Sequence, residues 1–566
     1  MDKALSEGQR LSAYPRNLSE LVAFATASHA RAIAFLVLVS LISFLPGFFN
    51  LPPIDRDESR FAQATKQMIE SGDYIDIRFQ DEVRYKKPVG IYWLQAGVVK
   101  TAEALGVPEA RTTIWLYRVP SLIGAIGAVL LTYWIAIVFV SRRAAYFAGV
   151  MMAASIVLGV EARFAKTDAM LLFTIVAAMG VLARAYMRPM KGWLYPAVFW
   201  TALGVGILLK GPLILMVIGL TALTLVITDR SARWLLALKP LVGIIWMLAL
   251  VLPWFLAITG RAGQSFYAES LGKDMLSKVF SSQETHGAPP GYYLLLFWLT
   301  FWPGAPLAAV AAPAVWRERR DTGVKFLLAW LVPCWIVFEL VITKLPHYVL
   351  PLYPAIAILI ARGIERRNFS SNPHLVRTVV MWPIIAAVLP LLTIAGLIYF
   401  RGQLGLLAWP FAAAAIVFGF LAWRLYDADG PELSLARATI AAHLMGVATF
   451  GVTMPLMRPV FPSVTLASLV KGVDCPNPQV ASAGFHEPSL VFLVGTNTRL
   501  TDSAGAAEFL RQGGCRLALI EQRHERSFAQ RAEAIGLRYS LWRREEAINY
   551  NGGRQISIAI YRAGLN

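Results

Sequence analysis

Through most of the chain, apolar runs long enough to cross a bilayer alternate with short polar turns. Runs near 20 residues are candidate crossings, and about 13 can be drawn. They lie at about 31–49, 119–140, 144–162, 169–187, 193–209, 212–228, 240–258, 292–314, 324–342, 346–361, 377–399, 407–423 and 438–457. Each predicts a helix, since a lipid-exposed backbone must satisfy its own hydrogen bonds. Two pairs of runs are parted only by Lys210-Gly211-Pro212 and by Lys344-Leu345-Pro346, where Pro and Gly interrupt helices. Two longer polar intervals, about 50–118 and 259–291, break the rhythm.

Beyond about residue 458 the pattern changes. Apolar stretches at 489–494, 516–520 and 555–561 alternate with amphipathic ones at 504–512 and 527–535. That alternation predicts a small α/β domain. The expected fold class is thus a polytopic α-helical membrane protein of about 13 transmembrane helices, residues 1–457, followed by an α/β domain, residues 458–566.

Composition fixes the class. The 566 residues are 57% hydrophobic and 16% charged, whereas soluble domains are nearer 25% charged. A basic leader (Lys3, Arg10, Arg16, Arg31) precedes the first run and no small-residue cleavage site follows it, so that run reads as a retained helix. The net charge of +18 does not point to nucleic acid, because much of the excess sits in short loops. Those loops carry Arg142-Arg143; Arg188 and Lys191; Arg230, Arg233 and Lys239; Arg317, Arg319 and Arg320; Arg362, Arg366 and Arg367; Arg424 and Arg437. The positive-inside rule makes them cytoplasmic, with the N-terminus. An odd number of crossings then sets residues 458–566 and both long polar intervals on the outer side. Nucleotides are scarce there, which argues against a nucleotide-driven reaction.

The candidate chemistry clusters on that outer side. Asp55, Asp57 and Glu58 follow the first run. Acids there also suit a plain helix N-terminus. Tyr85-Lys86-Lys87-Pro88 is either an interfacial lysine belt or a phosphate site. Glu161, Arg163, Lys166 and Asp168 stand where one run ends and the next begins; charge inside the bilayer is costly, so this group belongs at an outer end. Lys210, Lys344 and Tyr348 either snorkel or line one phosphate pocket. His286 closes the 259–291 interval and reads as structural. No metal, Walker or nucleophile-elbow motif occurs, so a divalent metal has no motif to hold it. Cys334 reads as a small core residue. Cys475 and Cys515 fall in the region assigned to an oxidising compartment, which predicts a disulfide.

Read in order, Asp57-Glu58-Ser59-Arg60-Phe61, Tyr85-Lys86-Lys87-Pro88-Val89-Gly90, Asp168, Lys210-Gly211-Pro212 and Lys344-Leu345-Pro346-His347-Tyr348-Val349-Leu350-Pro351 resemble a known family. It is the bacterial 4-amino-4-deoxy-L-arabinose lipid A transferases, GT-C glycosyltransferases related to the protein O-mannosyltransferases. The resemblance covers most of the membrane part and, more loosely, the stretch Gly484-Phe485-His486-Glu487-Pro488-Ser489-Leu490. It implies a bacterial inner-membrane enzyme that moves a sugar, with inversion, from a polyprenyl-phosphate donor to a lipid acceptor such as lipid A, among membrane lipids and without nucleic acid. It implies Asp57 and Asp168 as catalytic carboxylates, with Glu58 beside them, and Lys87 and Tyr348 as phosphate contacts. Asp55, Tyr85, Lys86, Lys210 and Lys344 complete the expected substrate site. One position departs from the family: Lys86 stands where a Glu precedes the phosphate lysine. That reversal of sign disfavours a cationic amino sugar and predicts a neutral or uronic-acid donor. A protein O-mannosyltransferase and a transporter of an anionic lipid-linked substrate remain as rivals. A transporter would place its charges near the midplane in a repeated pair of broken helices.

Overall fold

The computed structural model describes residues 17–188, 190–263, 266, 287–551 and 553–564. His286 and most of the 259–291 interval lie outside the described residues. Among the described residues, six helices are long and apolar enough to cross a membrane, or seven if the bent pair Leu18–Ala25 and His29–Phe44 is one crossing. They include Ile114–Ala136, Asp168–Met187, Pro240–Ala262 and Thr322–Leu340. The other apolar runs also carry helix, but shorter or broken. The 144–162 run divides into Arg142–Ala154 and Ile156–Glu161 at Ser155, which is extended. The 292–314 run divides into Tyr292–Thr300 and Ala305–Arg317. The 346–361 run becomes helix only from Tyr353, which leaves residues 341–349 as an irregular segment at its head. The protein is a multi-pass helical membrane protein.

The polar interval after the first run is ordered. It holds helix Asp57–Ser71, a small hairpin of β1 (Arg78–Phe79) and β2 (Glu82–Val83), and helix Gly90–Ala104. Helix Asp57–Ser71 begins with two acids, which favour the dipole, and stops at Gly72 in the left-handed region (φ +72°). Both of its faces are buried. Phe61, Ala64 and Met68 pack with Tyr85, Tyr92, Leu208 and Trp254 of the membrane part. Ala62 and Ile69 pack with Val99, Tyr117 and Phe492. The helix is therefore a wedge between the membrane helices and the C-terminal region.

That region forms one five-stranded sheet in the order β4-β3-β5-β7-β6: β3 (Gln479–Ala483), β4 (Arg499–Thr501), β5 (Arg516–Glu521), β6 (Tyr539–Asn549) and β7 (Arg554–Ala563). β3 runs parallel to both β4 and β5, and β7 closes antiparallel. Of the parallel strands, β3 and β5 are almost wholly buried, as expected when helices cover both faces, whereas the edge strand β4 is partly exposed. A disulfide joins Cys475 to Cys515, with Cα atoms 5.8 Å apart, and Gln479 N–H donates to the Cys515 carbonyl beside it. Cys334 is buried and unpaired.

The carboxyl edge of this sheet meets the wedge helix. Helix Pro488–Val494 follows β3 and lies along helix Asp57–Ser71. Lys66 Nζ donates to the Phe492 carbonyl at 3.0 Å, and Gln63 donates to the Thr496 hydroxyl at 2.9 Å. A lysine on the last carbonyls of a helix complements its dipole.

Candidate active site

A cavity of about 250 Å³ opens between the head of the wedge helix, the loop before Asp168, the end of helix Leu194–Lys210 and the irregular 341–349 segment. Local backbone explains how its side chains converge. Arg56 adopts a positive φ (+67°), which costs of order 1–3 kcal/mol in a non-glycine residue. That turn directs Asp55 and Asp57 to the cavity on either side of it. Gly90 lets helix Gly90–Ala104 approach helix Leu194–Lys210 closely; a Cβ there would lie 2.8 Å from the Leu208 carbonyl oxygen. This contact brings Lys87 and Lys210 to one cavity. Gly211 (φ +65°) then ends the helix directly after Lys210.

Seven cationic side chains and three carboxylates line the cavity, a formal excess of four positive charges that calls for an anionic ligand. The cations are Arg56, Arg60, Arg84, Lys86, Lys87, Lys166 and Lys210; the carboxylates are Asp55, Asp57 and Asp168. The deep end is tightly coupled. Lys210 pairs with Asp168, and His347 lies 3.5 Å from Asp168 and 3.5 Å from Glu161. Lys210 Nζ also sits 5.4 Å from the Tyr348 ring centre. Lys166 pairs with Glu161 at 3.0 Å. Burial opposes the charge on Lys166, but the carboxylates of Glu161, Asp168 and Asp57 raise its pKa overall.

At the wedge, burial pushes the Asp57 pKa up, yet Lys166, Arg84, Arg60 and His347 outweigh it and hold it below the usual range. Asp57 is thus an ionised carboxylate open to the cavity. Asp55 differs. Burial pushes its pKa up to about 7, although its carboxylate accepts a hydrogen bond from Ser489 N–H at 3.0 Å.

Seven of the ten residues expected from sequence meet here: Asp55, Asp57, Asp168, Lys86, Lys87, Lys210 and Tyr348. Three do not. Glu58 turns away from the cavity into a buried pair with Arg118, at 2.8 and 2.9 Å. It also accepts from Ile54 N–H and Ala165 N–H, so both oxygens are occupied by the frame. Tyr85 is buried in the wall and donates its hydroxyl to Asp76 at 2.9 Å. Lys344 is buried with its ammonium donated to the Val341 carbonyl at 2.6 Å, while its neighbours Thr343 and Leu345 line the cavity instead. Sequence reasoning gave no role in the site to Arg56, Arg60, Arg84 or Asn551, and left Lys166 and His347 undecided. Arg60 stands inside a quoted motif and Arg56 and Arg84 directly precede two of them, so these residues carried a signal; Asn551, from the C-terminal domain, carried none. Among the described residues no group of three or more His, Cys, Asp or Glu side chains is arranged to hold a metal ion.

Comparison with known proteins bears on the fold and the class of the chain. The Dolichyl-phosphate-mannose-protein mannosyltransferase family profile matches residues 32–262. The undecaprenyl phosphate-alpha-4-amino-4-deoxy-L-arabinose arabinosyl transferase of Erwinia tasmaniensis is 28% identical over 395 residues, which cover 65% of this chain and 69% of that protein. A homologue of the same description from Pseudomonas fluorescens is 25% identical, covering 69% of this chain and 70% of its own. In fold, the chain is similar to the crystal structure of ArnT from Cupriavidus metallidurans, with a TM-score of 0.73, 18% identity and coverage of 94% and 98% of the two chains. The same protein has been seen bound to undecaprenyl phosphate, with an equal TM-score. Shared fold, a profile match over residues 32–262 and relatives aligned over about two thirds of its length make this chain a glycosyltransferase similar to the aminoarabinose transferases and, through the matched profile, to the protein mannosyltransferases.

Proposed function

We propose that this enzyme transfers a sugar from a polyprenyl-phosphate carrier to lipid A or a similar lipopolysaccharide acceptor at the outer face of a bacterial inner membrane. The observation that carries this reading is the cavity's charge pattern: ionised Asp57 faces a cluster of lysines and arginines that outnumber the carboxylates in the cavity lining. In the reaction, the bond from the anomeric carbon to the phosphate oxygen breaks while an acceptor oxygen attacks from the opposite face. The electron pair leaves with the phosphate. Lys87, Lys210 and Tyr348 stabilise that growing charge. Asp57 holds sugar hydroxyls or accepts the proton of a hydroxyl acceptor; an ionised phosphate acceptor has no proton to give up, and Asp57 then orients the reactants. Asp168 keeps Lys210 aimed at the phosphate through their ion pair.

The reading includes about 13 crossings, a cytoplasmic N-terminus and a C-terminal domain on the outer side. The disulfide supports that placement, since such bonds persist in oxidising compartments. The donor sugar is proposed to be neutral or acidic, because exposed Lys86 lines the cavity. A second reading, transfer to a protein hydroxyl, draws support from the mannosyltransferase profile. Radiolabelled polyprenyl-phosphate sugars offered with lipid A and with serine- or threonine-bearing peptides separate the two. Label on lipid A is expected. Label on peptide alone would establish the second reading, and label on neither would sink both.

A further inference from the structure

The catalytic cavity is not made by the membrane part alone. Asn551, on the turn between β6 and β7, lines it beside Asp55. The turn is held in place by its own domain. Asn551 Nδ2 donates to Glu487 Oε2 at 3.0 Å, and Asn549 Nδ2 donates to the other oxygen of Glu487 at 3.1 Å. The same turn grips the membrane side: Asp55 N–H donates to the Tyr550 hydroxyl oxygen at 2.6 Å. Ser489, two residues after Glu487, donates its N–H to the Asp55 carboxylate. Asp55 is therefore held at both its backbone and its side chain by the C-terminal domain.

The two ends of the cavity differ in chemistry. The deep end offers Lys210 and Tyr348, groups that suit a phosphate. The end under the turn offers the Asp55 carboxylate and the Asn551 amide, groups that suit hydroxyls, with Arg60 near the carboxylate. A donor whose lipid tail stays in the bilayer and whose phosphate sits at the lysines must point its sugar away from them. We infer that the β6–β7 turn is the sugar-reading wall of the site. In it Asn551 contacts the transferred sugar and Tyr550 acts as a positioning residue for Asp55. The inference rests on the donor class proposed above and adds which residues of the second domain select within it.

The decisive measurement compares binding of undecaprenyl phosphate with binding of undecaprenyl-phosphate sugars to the full-length protein. The sugars tried are mannose, a uronic acid and 4-amino-4-deoxy-L-arabinose, and the comparison uses whichever the wild type transfers. Asn551→Ala should weaken the sugar-bearing donor about fivefold to tenfold, the scale of one lost hydrogen bond, and leave undecaprenyl phosphate unchanged. Tyr550→Phe should likewise weaken the sugar-bearing donor by a few-fold and leave undecaprenyl phosphate unchanged, because its hydroxyl reaches the sugar only through Asp55. Asn549→Ala is the control for folding, since it removes the matching Glu487 contact outside the cavity. Equal weakening of both lipids by Asn551→Ala, no weakening of either, or the same sugar-dependent loss in Asn549→Ala would overturn the assignment. Wild-type transfer of none of these sugars would overturn the donor class itself.

Discussion

Two charged clusters lie side by side at the head of the wedge helix, and they are built oppositely. In the first, Glu58 and Arg118 are sealed from solvent, and Arg118 spends every N–H on Glu58 or on the carbonyls of Phe48, Leu51 and Pro52. Through Ala165 N–H, Glu58 also fixes the loop that delivers Lys166 and Asp168. In the second, Asp57, Asp168, Lys87 and Lys210 border an open cavity whose cations exceed its carboxylates. Adjacent residues of one helix thus meet different fates. Saturated hydrogen bonding marks the frame, and unbalanced charge around a void marks the chemistry.

The strongest way to break this comparison is to neutralise one member of each cluster. Asp57→Asn should cut transfer by at least about a hundredfold while the protein stays folded in membranes. Arg118→Ala should do the reverse. It leaves a buried carboxylate without its partner, at a cost of about 3–5 kcal/mol, so yield and melting temperature fall together. Near-wild-type turnover of purified Asp57→Asn enzyme would remove Asp57 from the chemistry. An undiminished melting temperature in Arg118→Ala would show that the sealed pair is not a frame.

How much of this division can be read from sequence follows from the same physics. Asp168 and Lys210 stand out because they interrupt apolar runs, where charge is costly. Asp57 and Glu58 are indistinguishable by that criterion. Successive residues of a helix point about 100° apart, so one faces the void and the other the frame, and only packing says which. Lys344 interrupts an apolar run as Lys210 does, yet its ammonium is taken by a backbone carbonyl three residues back. The α/β alternation near the C-terminus is visible in the pattern of residues. The arrival of Asn551 at the cavity is not, because an amide on a turn has neither charge nor periodicity to announce it.

Lys87 and Lys344 sharpen the contrast at intermediate size. Lys87→Ala should weaken undecaprenyl phosphate about tenfold to a hundredfold, the scale of one charged hydrogen bond. Lys344→Ala should change it by less than about twofold. Titration of undecaprenyl phosphate against both purified variants checks the pair, and equal losses would merge the two lysines into one class.

Asp55 lies between the clusters, half-buried in the cavity wall, and its pH response tests that intermediate character. Its pKa rises from 3.8 to about 7 on burial. Between those values the folded state holds a proton that the unfolded state has lost. The contribution to stability is therefore complete below pH 3.8 and is lost as pH rises through about 7. Wild-type melting temperature should accordingly carry a falling component between about pH 5 and pH 8 that Asp55→Asn lacks. Superimposable profiles would mean that Asp55 is ionised throughout.

The smallest effect is expected at Lys86, the cavity's exposed cation. Among the described residues it has no ion-pair partner to hold it away from a ligand. Solvent screens it, so reversing its sign should matter on the scale of a surface ion pair, about 0.2–1 kcal/mol. That corresponds to a change of at most about fivefold in donor preference. Lys86→Glu should raise kcat/KM for an undecaprenyl-phosphate amino sugar relative to a neutral one, and the gain should shrink as salt is added. A preference unmoved at low salt would place Lys86 outside the reach of the sugar. It would leave the choice of donor to the carboxylate and amide groups at the other end of the cavity.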